Sequence, residues 1–151
     1  MIRRIVDVEL IRATITHPKV YGPASDDGSP SPDHCLPLVD ESRYYLAAFD
    51  GDKYRGLLLF CQQNAICFDI HCALLPSAWG KTGMYVREAI EWMFKNSSCM
   101  RVVASVPTCN PLAGKLAMKS GFIQFGINEK SFMKNGQLYD QILFGVSKPC
   151  Q

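Results

Sequence analysis

The sequence predicts an α+β domain, in which a central mixed, mostly antiparallel six- to seven-stranded sheet is flanked by helices on both faces. Three observations predict this arrangement. A meander of strand-like segments precedes the first long helix. That amphipathic helix leads into a nearly continuous apolar strand, which indicates a right-handed crossover and a locally parallel pair. The chain closes with a hairpin signal at Asn135-Gly136, and we expect residues 1–151 to form a single domain.

The N-terminal elements are short and clearly punctuated. Ile2 to Val6 predicts an edge strand, and Asp7 is a suitable N-cap for a helix over roughly Val8 to Thr16, which Pro18 ends. Residues 18–42 hold five of the nine prolines, so this stretch predicts a long irregular, Pro-rich loop. A loop of about 25 residues in a compact domain is usually functional or mobile.

Three strands follow the loop. Two segments are predicted as strands, Tyr44 to Asp50 and Tyr54 to Gln62. The turn residues Gly51-Asp52-Lys53 join them, which is typical of a hairpin. Gln63-Asn64 then turns the chain into a third strand, from Ala65 to Leu74. These segments predict the antiparallel half of the sheet.

The first long helix is predicted from about Gly83 to Asn96, because apolar residues such as Val86 and Ile90 recur at helical spacing. Thr82 is expected to cap its start. Arg101 to Val106 follows as a strand that is apolar on both faces.

The last part of the chain has the strongest boundary signals. Asn110 is a suitable N-cap, Pro111 occupies the first helical position, and Gly121 ends the helix. Phe122 to about Phe132 and Leu138 to Val146 then predict the closing hairpin.

Bulk composition excludes several classes of protein. A formal net charge of +2 with scattered basic residues gives no nucleic-acid stripe, and no apolar run is long enough to span a membrane. Asp7 and Glu9 interrupt any signal-like core, so we expect a cytoplasmic protein. Seven cysteines without a C-x-x-C pair indicate neither a disulfide framework nor a metal site.

The stretch from Ile66 to Phe122 resembles the Gcn5-related N-acetyltransferase (GNAT) superfamily, whose members bind acetyl-coenzyme A (acetyl-CoA). Ser77 to Thr82 aligns with the family turn Gln/Arg-x-x-Gly-x-Gly/Ala and retains Gly80. The second family motif matches at Asn110, Ala113, Leu116, Gly121 and Phe122. The resemblance covers nearly the whole chain and is closest to the branch with ribosomal-protein alanine acetyltransferases and bacteriophage-encoded members.

The resemblance implies a cofactor site. The strand that ends at Leu74 and Leu75 would face the pantetheine arm, and the turn amides and helix start would take the pyrophosphate. Trp79 would either contact the cofactor or anchor the turn. The implied cofactor-binding residues are Leu74, Leu75, Trp79, Gly80, Lys81, Thr82, Gly83, Met84, Asn110 and Ala113. The structural alternative is a turn that uses glycine for its geometry and lysine for solubility.

Asp69 and His71 are candidates for catalysis because they lie two residues apart on one strand face. His71 would act as the base that deprotonates an amine, with Asp69 orienting it. The alternative is a half-buried polar pair within the core. Cys72, on the opposite face, is expected in the core. Ala117 stands where many members of the family carry the tyrosine that protonates the departing thiolate.

These residues leave three functions open. The first is acetyl-CoA-dependent N-acetyltransfer to a primary amine, on a small molecule or a protein, by direct attack. The second is a catalytically inactive bacteriophage assembly or accessory protein that acts through protein contacts, and the third is a sensor of acyl-CoA. A homodimer through the final hairpin is compatible with each. Loop residues that would contact a cationic acceptor are Tyr21, Asp26, Asp27 and Asp33. The alternative, which composition favours, is a polar loop that its charges keep soluble.

Overall fold

The computed structural model describes residues 1–150 and contains one seven-stranded sheet. In chain order the strands are β1 (Ile2–Ile5), β2 (Arg43–Asp50), β3 (Lys53–Gln62), β4 (Cys67–Leu74), β5 (Arg101–Pro107), β6 (Ile123–Lys134) and β7 (Gln137–Ser147). Their order across the sheet is β1-β2-β3-β4-β5-β7-β6. All neighbouring pairs are antiparallel except β4 and β5, which run parallel. The predicted mixed sheet is therefore confirmed.

Four α-helices cover the two faces of this sheet. They are α1 (Val8–Ile15), α2 (Pro18–Ala24), α3 (Thr82–Asn96) and α4 (Pro111–Lys119), with short 3-10 helices at Pro32–His34 and Pro76–Ala78. One core joins α3 and α4 to the sheet through side chains such as Phe68, Met93 and Phe144. A smaller core joins α1 and α2 to the other face through Ile11 and Val20. Helices on both faces were predicted, and the structure confirms them.

Residues 18–42 differ from the predicted continuous loop, because α2 occupies its first seven residues. Pro18 does end α1, but it also starts α2, since proline at the first helical position loses no hydrogen bond. The ring Nδ1 of His17 accepts a hydrogen bond from the Lys19 amide at 3.1 Å and caps the helix. Val20 then packs into the smaller core, so tertiary contact supports a helix that the proline content concealed.

The rest of this segment is tied to the end of the chain. The Asp27 carboxylate accepts hydrogen bonds from the amides of Asn135 and Gly136, at 2.7 and 2.8 Å. Lys134 Nζ donates to the Ser25 carbonyl at 2.9 Å. Asn135 and Gly136 have φ values of 53° and 73°, as the predicted tight hairpin turn requires.

The predicted start of β4 at Ala65 is two residues early. The side-chain Oδ1 of Asn64 accepts hydrogen bonds from the amides of Ile66 and Cys67, which holds this stretch in a turn. Among residues 1–150, no helix is both long and apolar enough to cross a bilayer.

Candidate active site

The central feature of the sheet is a wedge between the two parallel strands. β4 and β5 are register partners only from Cys67 and Arg101 to Asp69 and Val103. Beyond those residues β4 stays paired with β3, while β5 stays paired with β7. The facing edges of β4 and β5 therefore diverge toward their carboxyl ends, where open α/β sheets commonly bind ligands.

The gap between the diverging strands is a cleft of about 230 Å³. Ile70 to Cys72 of β4 form one wall and Ala104 to Pro107 of β5 form the other, while α3 and α4 contribute Val86 and Ala113 among others. Pro23 and Ala24 of α2 line it as well. Because α2 and α3 lie on opposite faces, the cleft reaches both sides of the sheet.

The turn between β4 and α3 presents unpartnered backbone amides. The amides of Lys81 and Met84 donate to Ala78 O and Lys81 O, at 3.0 and 3.1 Å. Within residues 1–150, the amides of Gly80, Thr82 and Gly83 have no backbone or side-chain acceptor. Three free N–H groups at the start of a helix form a suitable site for an anion.

Thr82 does not cap α3, contrary to the prediction. Its hydroxyl lies 3.5 Å from the Ala78 carbonyl, and the N-cap position is Lys81, which makes no side-chain capping bond. Gly80 has a φ of +97°, a conformation that side chains with a Cβ rarely adopt. The Lys81 ammonium lies 3.7 Å from the Asp50 carboxylate, and both are well exposed, so this pair is weak and leaves the charge available.

The turn lies next to the cleft. Val86, one helical turn after Gly83, lines the cleft, and so does Ser120 at the end of α4. A Cβ built at Gly83 would lie 3.9 Å from the hydroxyl of Ser120. Trp79 is 57% exposed, and it packs on neither core.

Asn110 and Ala113 lie together at the start of α4. The Asn110 side chain accepts a hydrogen bond from the Ala113 amide at 3.3 Å, which confirms the predicted N-cap. Both residues line the cleft. Leu74 does not line the cleft, because its side chain is buried in the core that joins α3 and α4 to the sheet. The Leu75 amide donates to Arg55 O at 2.9 Å.

Asp69 and His71 form a pair at the cleft. His71 Nε2 and Asp69 Oδ2 are 2.9 Å apart, and the His71 side chain is 61% exposed while that of Asp69 is 28% exposed. The alternative of a pair within the core is therefore wrong for His71, which lines the cleft. A carboxylate only accepts hydrogen bonds, so Nε2 carries the proton toward Asp69 and Nδ1 carries the lone pair.

Cys72 is not a core residue, contrary to the prediction. It is exposed to the cleft, because β4 has no partner strand on that side at this point. Protein atoms still surround the sulfur on most sides, and this desolvation raises the pKa of the Cys72 thiol to about 11.

This thiol is expected to react slowly with iodoacetamide. The raised pKa keeps it protonated at pH 8, so its alkylation should be at least about tenfold slower than that of exposed Cys109, and should accelerate as pH rises toward 11. Peptide mass spectrometry over time would measure both rates. Equal rates at pH 8 in the folded protein would contradict this expectation; unfolded protein serves as the control in which the difference disappears.

Other predicted contacts have structural roles instead. Asp26 accepts hydrogen bonds within its own turn from the Gly28 amide and the Ser29 hydroxyl. Tyr21 donates to the Pro30 carbonyl, and Asp27 binds the closing hairpin. The last of the predicted contacts, Asp33, accepts a hydrogen bond from Arg12 through its backbone carbonyl at 2.8 Å. The structure therefore does not bring the loop acids together as a cation site.

The sequence analysis missed lining residues that reach the cleft from distant segments. Pro23 and Ala24 come from α2, and Phe132 and Gln141 come from the closing hairpin. It also missed Cys61, which is the register partner of Asp69 on β3. The short β3–β4 hairpin indicated that Cys61 lies near the start of β4. Only the register shows that Cys61 faces Asp69.

Comparisons with known proteins come from structure alone, because no protein-family model and no curated protein matches this sequence. A chimera of spermidine N-acetyltransferase SpeG from Vibrio cholerae with hSSAT is 17% identical, with a TM-score of 0.76 over 97% of this chain and 96% of that one. The Vibrio cholerae enzyme in complex with CoA and spermine is 15% identical, with a TM-score of 0.70 over 97% and 94% of the two chains.

Two further solved structures cover the chain almost completely. Ribosomal-protein-S5-alanine acetyltransferase from Vibrio fischeri is 20% identical, with a TM-score of 0.73 over 98% of this chain and 94% of that one. A GNAT-family acetyltransferase from Streptococcus pneumoniae is 21% identical, with a TM-score of 0.75 over 98% and 99%. The chain therefore has the fold of the GNAT acetyltransferases.

Proposed function

We propose that this protein transfers the acetyl group of acetyl-CoA to a primary amine. The observation that carries the proposal is the wedge between β4 and β5, whose cleft adjoins a helix start with three unpartnered amides. A ligand that combines a pyrophosphate with a long, narrow arm that carries amide groups fits those two features together. A solved structure with the same fold contains CoA and spermine, which supports this choice of ligands.

The pyrophosphate would accept hydrogen bonds from the free amides of Gly80, Thr82 and Gly83. Lys81 would add a positive charge once its exposed contact with Asp50 gives way. The pantetheine arm would then follow the unpaired edge of β4 toward Asn110 and Ala113. Trp79 is exposed beside the turn and would cover the cofactor, and Leu74, Leu75 and Met84 would frame it.

The acceptor amine would enter from the α2 side, where His71 lies. Its nitrogen attacks the thioester carbonyl carbon, and His71 Nδ1 takes a proton from that nitrogen while Asp69 holds the ring through Nε2. The tetrahedral intermediate then collapses, the C–S bond breaks and CoA leaves as a thiolate. Ala117 lines the cleft and offers no proton, so this thiolate takes its proton from water.

Titration calorimetry with acetyl-CoA tests the cofactor site. We expect micromolar binding that weakens by at least about tenfold in Lys81→Glu, because a carboxylate would then face the phosphates. Gly80→Asp should weaken binding similarly. Gly80→Asn serves as its neutral partner, since asparagine tolerates a positive φ better than most residues and adds no charge.

Lys95→Glu is the matched control for Lys81→Glu, because it makes the same change in charge at the other end of α3. Its affinity for acetyl-CoA should stay within a factor of about two of the unmodified protein. An absence of binding at millimolar acetyl-CoA, or an equal loss in both lysine variants, would reject the proposed phosphate site.

A second function is favoured by one specific observation, an apolar outer strand. Ile123, Phe125 and Ile127 on β6 are 74%, 53% and 56% exposed, and β6 forms an edge of the sheet. We propose this edge as the contact surface of the alternative, a GNAT-fold protein without turnover that acts through protein contacts, as in bacteriophage assembly, or as a homodimer. The alanine at position 117 supports it. The same titration separates the alternatives, because this function does not require acetyl-CoA.

We place either function in the cytoplasm. An odd number of cysteines without paired spacing fits a reducing compartment better than an oxidising one. An acyl-CoA sensor, the third alternative, would bind the cofactor but release no CoA when amines are supplied.

A further inference from the structure

A cluster of three side chains on β3 and β4 contains the donor types that zinc selects. The Sγ of Cys61, a carboxylate oxygen of Asp69 and a ring nitrogen of His71 all lie within 4.8 Å of one another. Their elements bring them together for a simple reason. Cys61 and Asp69 are opposite each other in the antiparallel register, and His71 follows two residues later on the same face.

The surroundings of this cluster suit a bound cation that enters from solvent. Cys61 and Asp69 are partly buried, whereas the His71 side chain is 61% exposed and lines the cleft. The basic side chain opposite Cys61 is that of Arg43, its register partner on β2. The Arg43 guanidinium pairs with the Asp40 carboxylate at 2.5 Å, so it has an acidic partner outside the cluster.

We propose that Cys61, Asp69 and His71 form a three-ligand site for Zn²⁺. Zinc is bound in proteins by thiolate, imidazole and carboxylate, usually in a tetrahedron, and three protein ligands leave the fourth position to water. Magnesium and calcium prefer oxygen ligands and do not match a set with sulfur and nitrogen. The 2.9 Å between His71 Nε2 and Asp69 Oδ2 shows that two of the three ligand atoms already lie next to each other.

Occupancy of this site has a consequence that rests on the proposed function. A neutral imidazole carries one proton, and with Nε2 bound to zinc that proton must lie on Nδ1. His71 then has no lone pair with which to take a proton from the acceptor amine. Zinc would therefore inhibit acetyl transfer by withdrawing the base, without competing for the cofactor turn.

Zinc binding is measured on the reduced protein without acetyl-CoA, by competition with a chromophoric chelator. Cys61→Ser keeps the shape of the side chain but removes the soft ligand, and its zinc affinity should fall by at least about tenfold. Asp69→Asn should also weaken binding. Cys67→Ser is the matched control, because Cys67 is a half-buried cysteine on the same face of β4 whose sulfur contacts Gln63. That variant should retain the affinity, and Mg²⁺ should not compete.

A second readout follows His71 directly. Diethylpyrocarbonate modifies histidines that have a free ring nitrogen, and equimolar zinc should slow modification of His71 by at least about tenfold. His34, exposed on the 3-10 helix, is the internal reference and should react unchanged. In Cys61→Ser the protection of His71 should disappear.

Equal zinc affinity in Cys61→Ser and Cys67→Ser, or reaction of His71 at an unchanged rate with zinc present, would overturn the metal site. Zinc-insensitive turnover in a protein that passes both binding tests would overturn the inhibitory consequence. Both readouts use neither acetyl-CoA nor an amine, so a failure of the proposed acetyl transfer is seen separately and leaves the metal site to be judged on its own.

Discussion

Gly56→Ala is expected to lower the free energy of unfolding by about 3 kcal/mol, because the added methyl group meets backbone atoms that have no free space to move into. A Cβ at this position would lie 2.6 Å from the Ala73 carbonyl oxygen and 2.7 Å from the Leu74 Cα. Gly56 also has a φ of +113° next to a register shift between β2 and β3. Denaturant unfolding followed by circular dichroism would measure the loss.

Gly114→Ala is the matched control. Gly114 is inside α4, has no heavy atom within 4 Å of a built Cβ and has no positive φ, so alanine should raise stability by about 0.5–1 kcal/mol. A loss of less than about 1 kcal/mol in Gly56→Ala would show that the contact between β3 and the end of β4 adjusts easily. The close approach of Gly56 to the backbone of Ala73 and Leu74 would then have no role in fixing the end of β4.

His71→Gln is expected to reduce kcat for acetyl transfer by about 10² to 10³, with the dissociation constant of acetyl-CoA changed by less than about twofold. Glutamine is polar and similar in size, but it has no nitrogen lone pair that can take a proton. The proposed cofactor contacts lie on the turn and α4, away from the α2 side of β4. Measurement of CoA release with a chelator present, alongside calorimetry, would separate the two effects.

His34→Gln provides the comparison, because His34 is exposed and, among residues 1–150, its ring is hydrogen-bonded only to Ser31 Oγ. It should leave kcat unaltered. Unchanged turnover in His71→Gln would remove His71 from the reaction, and a parallel loss of cofactor affinity would assign it a binding role. Asp69→Asn should give a smaller loss than His71→Gln, since Asp69 holds the ring at 2.9 Å and takes no proton from the acceptor in the proposed reaction.

Local signals predicted most of the fold. Asn110 and Gly121 define α4 by short-range hydrogen bonding and by backbone conformation, so their roles follow from the sequence alone. The helix α2 was missed because local signals alone were considered there. Its prolines are unfavourable inside long helices, but here Pro18 is at the first position and packing of Val20 decides the outcome. Local propensity is outweighed there by a tertiary contact.

The site was predictable where it depends on spacing within one element. Asp69 and His71 share a face because strands have a period of two, and the structure pairs them. The contacts of Cys61 and Gly56 depend on the register between β3 and β4, which a single sequence does not specify. Thr82 was assigned as the N-cap of α3 from its residue type. The residue that occupies the N-cap position is Lys81, because this position depends on where the preceding 3-10 helix ends.

The hydrogen bonds that the Asp27 carboxylate accepts from the amides of Asn135 and Gly136 connect residues separated by 108 and 109 positions. They place α2 against the cleft that Phe132 and Gln141 also line. During synthesis the N-terminal half leaves the ribosome first, and it carries α2 and the meander without these late partners. A nascent chain that stops before β6 therefore lacks one wall of the cleft. We therefore expect ligand binding only after β6 and β7 have been made and their turn has reached Asp27.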